Sequence, residues 1–191
     1  MCGRINVNAD PIVEWVYKIL EIPFSTTSND DLRPTQEVAT IAMLNGGIQQ
    51  LDTTWGIKPS WSKKLLINAQ GESVATKKTF LDSFKTKRCL VPCTGWYEWR
   101  DEGGLKKQKY LFTQANGDPL LMAGIWYDNN ETSQLVTLTT EPNDKCAEIH
   151  KRMPVLIQPD NIDTWLNAST KDAQSLIEPL HSDKVSIKAI N

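Results

Sequence analysis

The chain has 191 residues, of which 40% are hydrophobic and 23% charged, an ordinary globular composition with enough length for one sizeable core. No apolar run approaches the ~18 residues of a membrane span, and the first residues lack the charged-then-apolar plan of a signal peptide. These features argue against a membrane-spanning or secreted class. We expect a soluble intracellular protein with a single domain over residues 1–191 and free thiols on its four cysteines.

The net charge of −2 does not indicate nucleic-acid binding, but the charge is unevenly distributed. Residues 58–88 hold eight cations and two acids, whereas the rest of the chain carries a net charge of −8. A basic segment on an acidic body is a possible contact surface for phosphate. On charge alone, a solvated lysine-rich surface is the better explanation.

The chain begins Met1-Cys2-Gly3-Arg4, and methionine aminopeptidases remove an initiator methionine that precedes a small residue. An N-terminal cysteine carries an α-amine of pKa about 7.7–8.0 and a thiol of pKa about 8.5, so neighbours can activate both. Its amine can form a Schiff base with an aldehyde, after which the thiol can close a thiazolidine ring. The alternative is that Cys2 is an ordinary small residue at a strand start, with Met1 retained.

Hydrophobic periodicity predicts short helices interleaved with many strands. Asp10 is the expected N-cap of the first helix, and Asn45-Gly46 is a strong hairpin signal. Helices are predicted over 10–20, 76–84, 142–149, 160–166 and 170–177, a polar loop over 24–36, and strands over 37–44, 48–55, 88–92, 95–99, 108–113, 119–127, 134–140, 153–157 and 185–190.

This order of elements predicts an α+β fold, a single strand-rich domain with a curled, barrel-like, mostly antiparallel sheet and peripheral helices. Trp55 and Trp61 flank a turn rich in glycine and proline. A loop cannot easily bury two indoles, so we expect one of them in the core and the other partly exposed.

Two polar residues are candidates for proton transfer. Glu98 lies in the aromatic strand 95–99, where alternation puts it on the same face as Trp96. If that face lines a pocket, burial would raise the carboxyl pKa toward neutrality, whereas an edge-strand glutamate would face water. His150, at the end of a predicted helix, is either a proton shuttle or a helix C-cap histidine.

Metal binding and papain-type proteolysis are rival uses of the cysteines. Cys89 and Cys93 have three residues between them, within the looser range of zinc ligands. However, Cys146 and His150 would have to complete the site, and the residues between the first two cysteines read as buried strand. The local cysteine signatures of papain-type enzymes are absent. We therefore expect neither a metal nor another cofactor.

Several motifs together resemble the SRAP domain family, the SOS response-associated peptidases. They occur in the family's order from residue 2 to about 165, and the ordered set is specific although each block alone is a modest match. The motifs are Cys2-Gly3-Arg4, Trp55-Gly56-x-x-Pro59-x-Trp61, Asn68-Ala69-x-x-Glu72, Gly95-Trp96-Tyr97-Glu98-Trp99, Thr139-Thr140 and Ile149-His150-x-Arg152-Met153-Pro154.

The resemblance implies binding of single-stranded DNA and covalent attachment of the N-terminal cysteine to the aldehyde of an abasic site. Cys2 would be the nucleophile, and Asn68 would hold the N-terminus by hydrogen bonds. Glu98 would be the acid/base for Schiff-base formation, ring closure and reversal. His150 would favour the ring-opened sugar and stabilise the charged intermediate.

The resemblance also implies a set of DNA-contacting residues. Arg4 and Arg152 look like phosphate ligands because the guanidinium is a planar fork, and Trp61 would stack or wedge at the lesion. Where the family usually has arginine this chain has Gln70, and Ser62 replaces a bulky residue, so we predict weaker and less salt-sensitive DNA binding than in typical members. The DNA-binding set is Arg4, Trp61, Gln70, Thr139 and Arg152, with Lys63, Lys64, Lys77 and Lys78 as compensating cations.

Three functions are compatible with the sequence. The first is a DNA–protein crosslinking enzyme that shields abasic sites. The second is a cysteine peptidase acting on proteins or on itself through Cys2, and the third is a non-catalytic module that binds single-stranded DNA. The expected partner is single-stranded DNA containing abasic sites, with no membrane. We expect a cytoplasmic monomer, associated with the nucleoid if the source is bacterial.

Overall fold

The computed structural model describes residues 3–129 and 132–190. The helices are α1 Ala9–Leu20, α2 Gly71–Val74, α3 Lys78–Thr86, α4 Asp144–Ala147, α5 Ile162–Asn167 and α6 Thr170–Ser175. The strands are β1 Ile5–Val7, β2 Asn29–Leu32, β3 Glu37–Leu44, β4 Gly47–Trp55, β5 Asn68–Gln70, β6 Arg88–Cys93, β7 Gly95–Arg100, β8 Gln108–Gln114, β9 Leu120–Tyr127, β10 Ser133–Thr140, β11 Met153–Pro154 and β12 Val185–Ile190.

The larger sheet closes on itself. Its strands β10, β4, β3, β6 and β9 are neighbours in that order, and β9 pairs back to β10 to complete a ring. The short strands β5 and β11 are attached to β10, which pairs in parallel with β4 and β5. The other pairs in this sheet are antiparallel. The predicted α+β fold with a curled, barrel-like, mostly antiparallel sheet is confirmed.

The second sheet places β7 in the middle of five antiparallel strands, in the order β12, β8, β7, β1 and β2. Glu98 on β7 is therefore not on an edge strand. Ile5 of β1 is paired with Trp96, and Arg4 O accepts a hydrogen bond from Tyr97 N at 3.0 Å. The β1 register thus leads toward Glu98 as the chain is followed back from Ile5.

The core fills the ring and the space between the two sheets. Every residue of β6 is buried, and Trp55, Trp96 and Trp165 are almost fully enclosed. Arg88 of β6 is buried too, and it donates hydrogen bonds to Phe84 O at 2.8 Å and to the carbonyl of Trp165. This arginine therefore fastens α3 and α5 to the barrel, so one of the eight cations in the basic segment is structural.

The predictions that rest on strong local signals are confirmed by the structure. The hairpin at Asn45-Gly46 is present, with φ of 51° and 80°, the positive values that this tight turn requires. Trp55 is fully buried while Trp61 is 68% exposed, as predicted for the pair. In the described part of the chain, no helix is long and apolar enough to cross a membrane.

Three local predictions were wrong. The loop expected over 24–36 contains β2, a polar strand with no apolar alternation that forms because β1 pairs with it. The N-cap of α1 is Asn8 and not Asp10, which lies in the first turn. The strand expected over 153–157 is regular only across Met153–Pro154, after which one isolated bridge, between Leu156 and Met122, continues the pairing.

Candidate active site

A buried carboxylate and an imidazole meet between the two sheets. Glu98 Oε2 lies 3.8 Å from His150 Nε2, and Glu98 is only 4% exposed. Burial raises the pKa of Glu98 to about 7 and lowers the pKa of His150 from its ordinary value. Both shifts favour the neutral forms, so near pH 7 the carboxyl group of Glu98 is partly protonated and can both donate and accept a proton.

His150 is oriented by the segment that follows α4. Asn143 caps α4 by accepting a hydrogen bond from Cys146 N at 2.8 Å, and His150 N donates to Cys146 O at 3.0 Å. His150 Nδ1 lies 3.0 Å from Arg152 O and 3.2 Å from Arg152 N. Because the backbone of Arg152 engages Nδ1, the opposite nitrogen faces Glu98. The C-cap of α4 is Glu148, so the helix-cap interpretation of His150 was wrong.

Asn68 is fixed by the pairing of β5 with β10. It lies opposite Thr137 in the parallel register, and its Oδ1 accepts a hydrogen bond from Thr137 Oγ1 at 2.5 Å. The apolar run before it ends on this short strand, which presents Asn68 and Gln70 on one side and buried Ala69 on the other. Gln70 is exposed at the end of β5, where α2 begins.

Arg152 is held by two elements at once. Its guanidinium forms a two-pronged ion pair with Glu72 of α2, with Nη1–Oε1 at 2.9 Å and Nη2–Oε2 at 2.7 Å. Nη2 also donates to the carbonyl oxygen of Thr139 on β10 at 2.7 Å. Gly71 allows the start of α2 to pack closely, because a Cβ there would collide with Ile177 and lie 3.3 Å from Thr139 O.

Arg4 is also engaged by a carboxylate. Its Nη1 lies 2.5 Å from Asp31 Oδ1, and its guanidinium carbon lies 5.6 Å from the ring centre of Trp99. Asp31 pairs with Arg33 as well. Partial burial acts to raise the pKa of Asp31, but the hydrogen bonds from both arginines outweigh it and lower that pKa. Cys2, the predicted nucleophile, lies outside the described residues.

Trp61 stands apart from this cluster on an open surface. It borders a groove of about 300 Å³ that continues toward α3 and the end of β9. Lys58, Lys63 and Lys64 are exposed on the same loop. The other residues that line the groove are Ile57, Pro59, Thr79, Tyr127, Asp128 and Gln134.

The three described cysteines are unsuited to nucleophilic chemistry. Cys89, Cys93 and Cys146 are buried, and burial raises the pKa of Cys93 to about 12 and of Cys146 to about 11. The pKa of Cys89 is raised for the same reason. No group of three or more metal-ligating side chains is found within residues 3–129 and 132–190.

The structure thus joins the predicted residues into neighbouring groups. Glu98, His150 and the backbone of Arg152 form one, while Asn68, Gln70 and Thr139 adjoin on β5 and β10. Sequence reasoning gave no role to Glu72, whose place in the Asn68-Ala69-x-x-Glu72 motif was its only signal. It also missed Asp31, which lies in the segment interpreted as a loop.

A family model described as SOS response associated peptidase (SRAP) matches residues 1–191. The chain is 29% identical over 199 residues to the abasic site processing protein YoqW of Bacillus subtilis (strain 168), covering 96% of this chain and 89% of that protein. It is 31% identical over 129 residues to the abasic site processing protein YedK of Escherichia coli (strain K12), covering 64% and 58%. A crystal structure of a Bordetella bronchiseptica protein has the same fold, with a TM-score of 0.84 and 24% identity over 100% of both chains.

Proposed function

Because the chain belongs to the SOS response associated peptidase (SRAP) family, we propose that it processes abasic sites in single-stranded DNA by crosslinking to them through Cys2. Relatives along most of its length are named abasic site processing proteins. The observation that carries the proposal is the buried Glu98, with a pKa of about 7, set 3.8 Å from His150 at the place to which the β1 register leads.

The reaction begins with the ring-opened sugar of the abasic site, which exposes an aldehyde. The α-amine of Cys2, freed by removal of Met1, adds to the aldehyde carbon and forms a carbinolamine. Loss of the hydroxyl as water gives a Schiff base, and the thiol of Cys2 then adds to the same carbon to close a thiazolidine. One amine proton moves to the oxygen in the carbinolamine, and an acid donates the second proton as water departs and leaves the Schiff base protonated. The proton of the thiol then restores that acid, so the amine and the thiol each lose one proton overall and one water leaves.

Glu98 is the residue best suited to move these protons. A carboxyl with a pKa of about 7 is present in both forms at neutral pH, so it can accept a proton from nitrogen or sulfur and donate one to the leaving oxygen. The same two-way capacity would let it open the ring again. An ordinary exposed glutamate would be almost fully ionised and a poor acid.

His150 and Asn68 support this chemistry. His150 faces Glu98 and could protonate the sugar ring oxygen to favour the open aldehyde, or stabilise the cationic Schiff base together with the carboxylate. Asn68 would hold the N-terminus through its side-chain amide, because β5 fixes it next to Thr137.

The DNA strand would cross the surface that joins these groups. Arg4 lies beside them and Gln70 is exposed, whereas Thr139 is buried and its carbonyl oxygen accepts a hydrogen bond from Arg152 Nη2, so we assign Thr139 to holding Arg152 and not to contacting DNA. Trp61 is exposed and flanked by lysines, which suits it to stack on a base near the lesion. An abasic site needs no base to be unstacked before the aldehyde can reach the protein.

The test is a denaturing gel with untagged protein whose loss of Met1 is verified by mass spectrometry. With single-stranded DNA carrying one abasic site, the wild-type protein should give a shifted band that survives denaturation without a reductant. Cys2→Ala keeps an α-amine but no thiol, so its band should appear only after borohydride trapping of the Schiff base.

Two other results would overturn the proposal. No shifted band from wild-type protein, together with retained binding of the same DNA, would favour the non-catalytic binding module. Cleavage of a peptide substrate that is lost in Cys2→Ala, without any DNA adduct, would favour the peptidase.

A further inference from the structure

The ion pair between Glu72 and Arg152 joins the two halves of the candidate site. Glu72 lies four residues after Asn68, in the half of the site that is formed by β5 and α2. Arg152 lies on the side of His150, two residues after it. The pair spans 80 positions of sequence and is made with both prongs of the guanidinium, the geometry in which an Arg–carboxylate contact gives the most orientation.

Both terminal nitrogens of Arg152 are engaged in this arrangement. Nη2 donates both to Glu72 and to the backbone of Thr139, Nη1 donates to Glu72, and the Arg152 side chain is only 14% exposed. Glu72, at 45%, is the more exposed partner. The arginine is therefore the fixed end of the pair, enclosed between β10 and α2.

The backbone of the same arginine sets the orientation of the His150 ring. Its N and O atoms lie 3.2 Å and 3.0 Å from His150 Nδ1, which leaves Nε2 for Glu98. A displacement of Arg152 would turn the ring and change the distance between the imidazole and the carboxylate. The side-chain anchor at Glu72 thus acts on the proton-transfer pair through one residue's backbone.

We propose that Glu72 is a positioning residue, which locks Arg152 and thereby holds His150 in register with Glu98. This inference rests on the proposed function for its catalytic readout. A different reading of the contact is that Glu72 occupies the guanidinium in place of a DNA phosphate and is displaced by it. The two readings predict opposite results, because a competitor restrains DNA binding whereas a positioning residue supports the chemical step.

The decisive variant is Glu72→Gln, which keeps the shape of the side chain and removes its charge. The crosslinking rate at saturating abasic DNA should fall on the order of tenfold to a hundredfold, the usual cost of small misplacements in a catalytic group. The DNA concentration giving half the maximal rate should change by less than about threefold, because Arg152 keeps its charge. Glu72→Asp, which retains the carboxylate, should recover part of the rate.

A spectroscopic readout separates positioning from loss of folding. The chain has two histidines, so His181→Asn leaves His150 as its single imidazole. In that background the ring ¹⁵N shifts of His150 should report one dominant tautomer, and Glu72→Gln should shift them toward a mixture. Asp163→Asn on α5 removes the same unit of charge at a helix surface and should change neither the shifts nor the rate.

The outcomes separate this inference from the proposed function. An unchanged rate in Glu72→Gln with DNA binding tightened fivefold or more would establish the competitor reading and overturn positioning. Unchanged ¹⁵N shifts would also overturn it. If the wild-type protein forms no crosslink at all, the proposed function fails, while the ¹⁵N shifts still decide whether Glu72 positions His150.

Discussion

Two glutamates approach the same short segment, 150–152, and their surroundings give them opposite properties. Glu98 lies on a central strand, faces His150 and is almost fully buried, so its pKa is raised to about 7. Glu72 lies at the start of a short helix, half exposed. Partial burial acts to raise its pKa, but hydrogen bonds from Arg152 and from backbone N–H groups outweigh burial and lower it.

The difference shows what turns a carboxylate into a proton carrier or a structural anchor. A permanent cation in fork geometry keeps Glu72 ionised and fixed. The imidazole 3.8 Å from Glu98 can lose its charge, so it does not hold the carboxyl group in the ionised form. Burial of the carboxyl group away from water then favours its protonated form. The two pairs are linked through segment 150–152, which carries both partners of these carboxylates.

The largest expected effect is on the crosslinking rate, in which Glu98 takes part as the acid/base. Glu98→Gln cannot accept or donate a proton, so its crosslinking rate should fall about 10²- to 10⁴-fold, the range for removal of a general acid/base. Single-turnover kinetics at saturating DNA would measure this loss. DNA affinity should be nearly unchanged, and a rate within threefold of wild type would remove Glu98 from the mechanism.

The next effect is on the free energy of unfolding, which should change in opposite directions when Glu98 and Glu72 are replaced. The pKa of Glu98 is raised in the folded state, so its contribution to stability is full below its ordinary value near 4.5 and is lost as the pH rises through about 7. Glu98→Gln should therefore increase the free energy of unfolding at pH 8 by on the order of 2 kcal/mol, with little change at pH 4.

Glu72→Gln should behave in the opposite way. Its lowered pKa stabilises the fold above the ordinary carboxyl pKa, and this contribution is lost as the pH falls through the folded value. Because Glu72 is half exposed, the loss at pH 8 should be about 1 kcal/mol or less. Denaturant unfolding of both variants at pH 8 checks the pair of signs, and two changes of the same sign would contradict the contrast.

The smallest expected effect concerns DNA binding beside Glu72. Gln70 is exposed at the end of β5, so Gln70→Arg can add a phosphate contact without disturbing the core. The slope of log affinity against log salt should steepen by about 0.7, the value for one phosphate on a single strand. Fluorescence anisotropy across a salt series measures it. An unchanged slope would place Gln70 away from the DNA path.

The burial of Glu98 could not be derived from local alternation. Residues on both faces of β7 are buried, Trp96 and Glu98 on one face and Tyr97 on the other. Whether the face of Glu98 was a pocket or a solvent-exposed edge depended on β1 and β8 flanking β7, pairings that local patterns do not encode. For His150, a helix end next to polar residues permitted two roles, and the structure excludes the C-cap role because Glu148 is the C-cap of α4.

The anchoring carboxylates were beyond local reasoning. Glu72 pairs with Arg152, which is 80 positions away in the sequence, and Asp31 pairs with Arg4, which is 27 positions away. Asp31 lies on β2, whose polar residues carry no strand period. Such pairs follow from how the sheets are assembled, so they could be placed only once the fold was known. The hairpin at Asn45-Gly46 needed no such knowledge, because its turn is specified by adjacent residues.

The most direct test of the central claim is the intact mass of the wild-type protein after reaction with an abasic oligonucleotide. We predict one adduct whose mass is the sum of the protein without Met1 and the DNA, less one water, and digestion should locate it at Cys2. An adduct on any other residue, or a noncovalent complex that separates fully on denaturation, would contradict it.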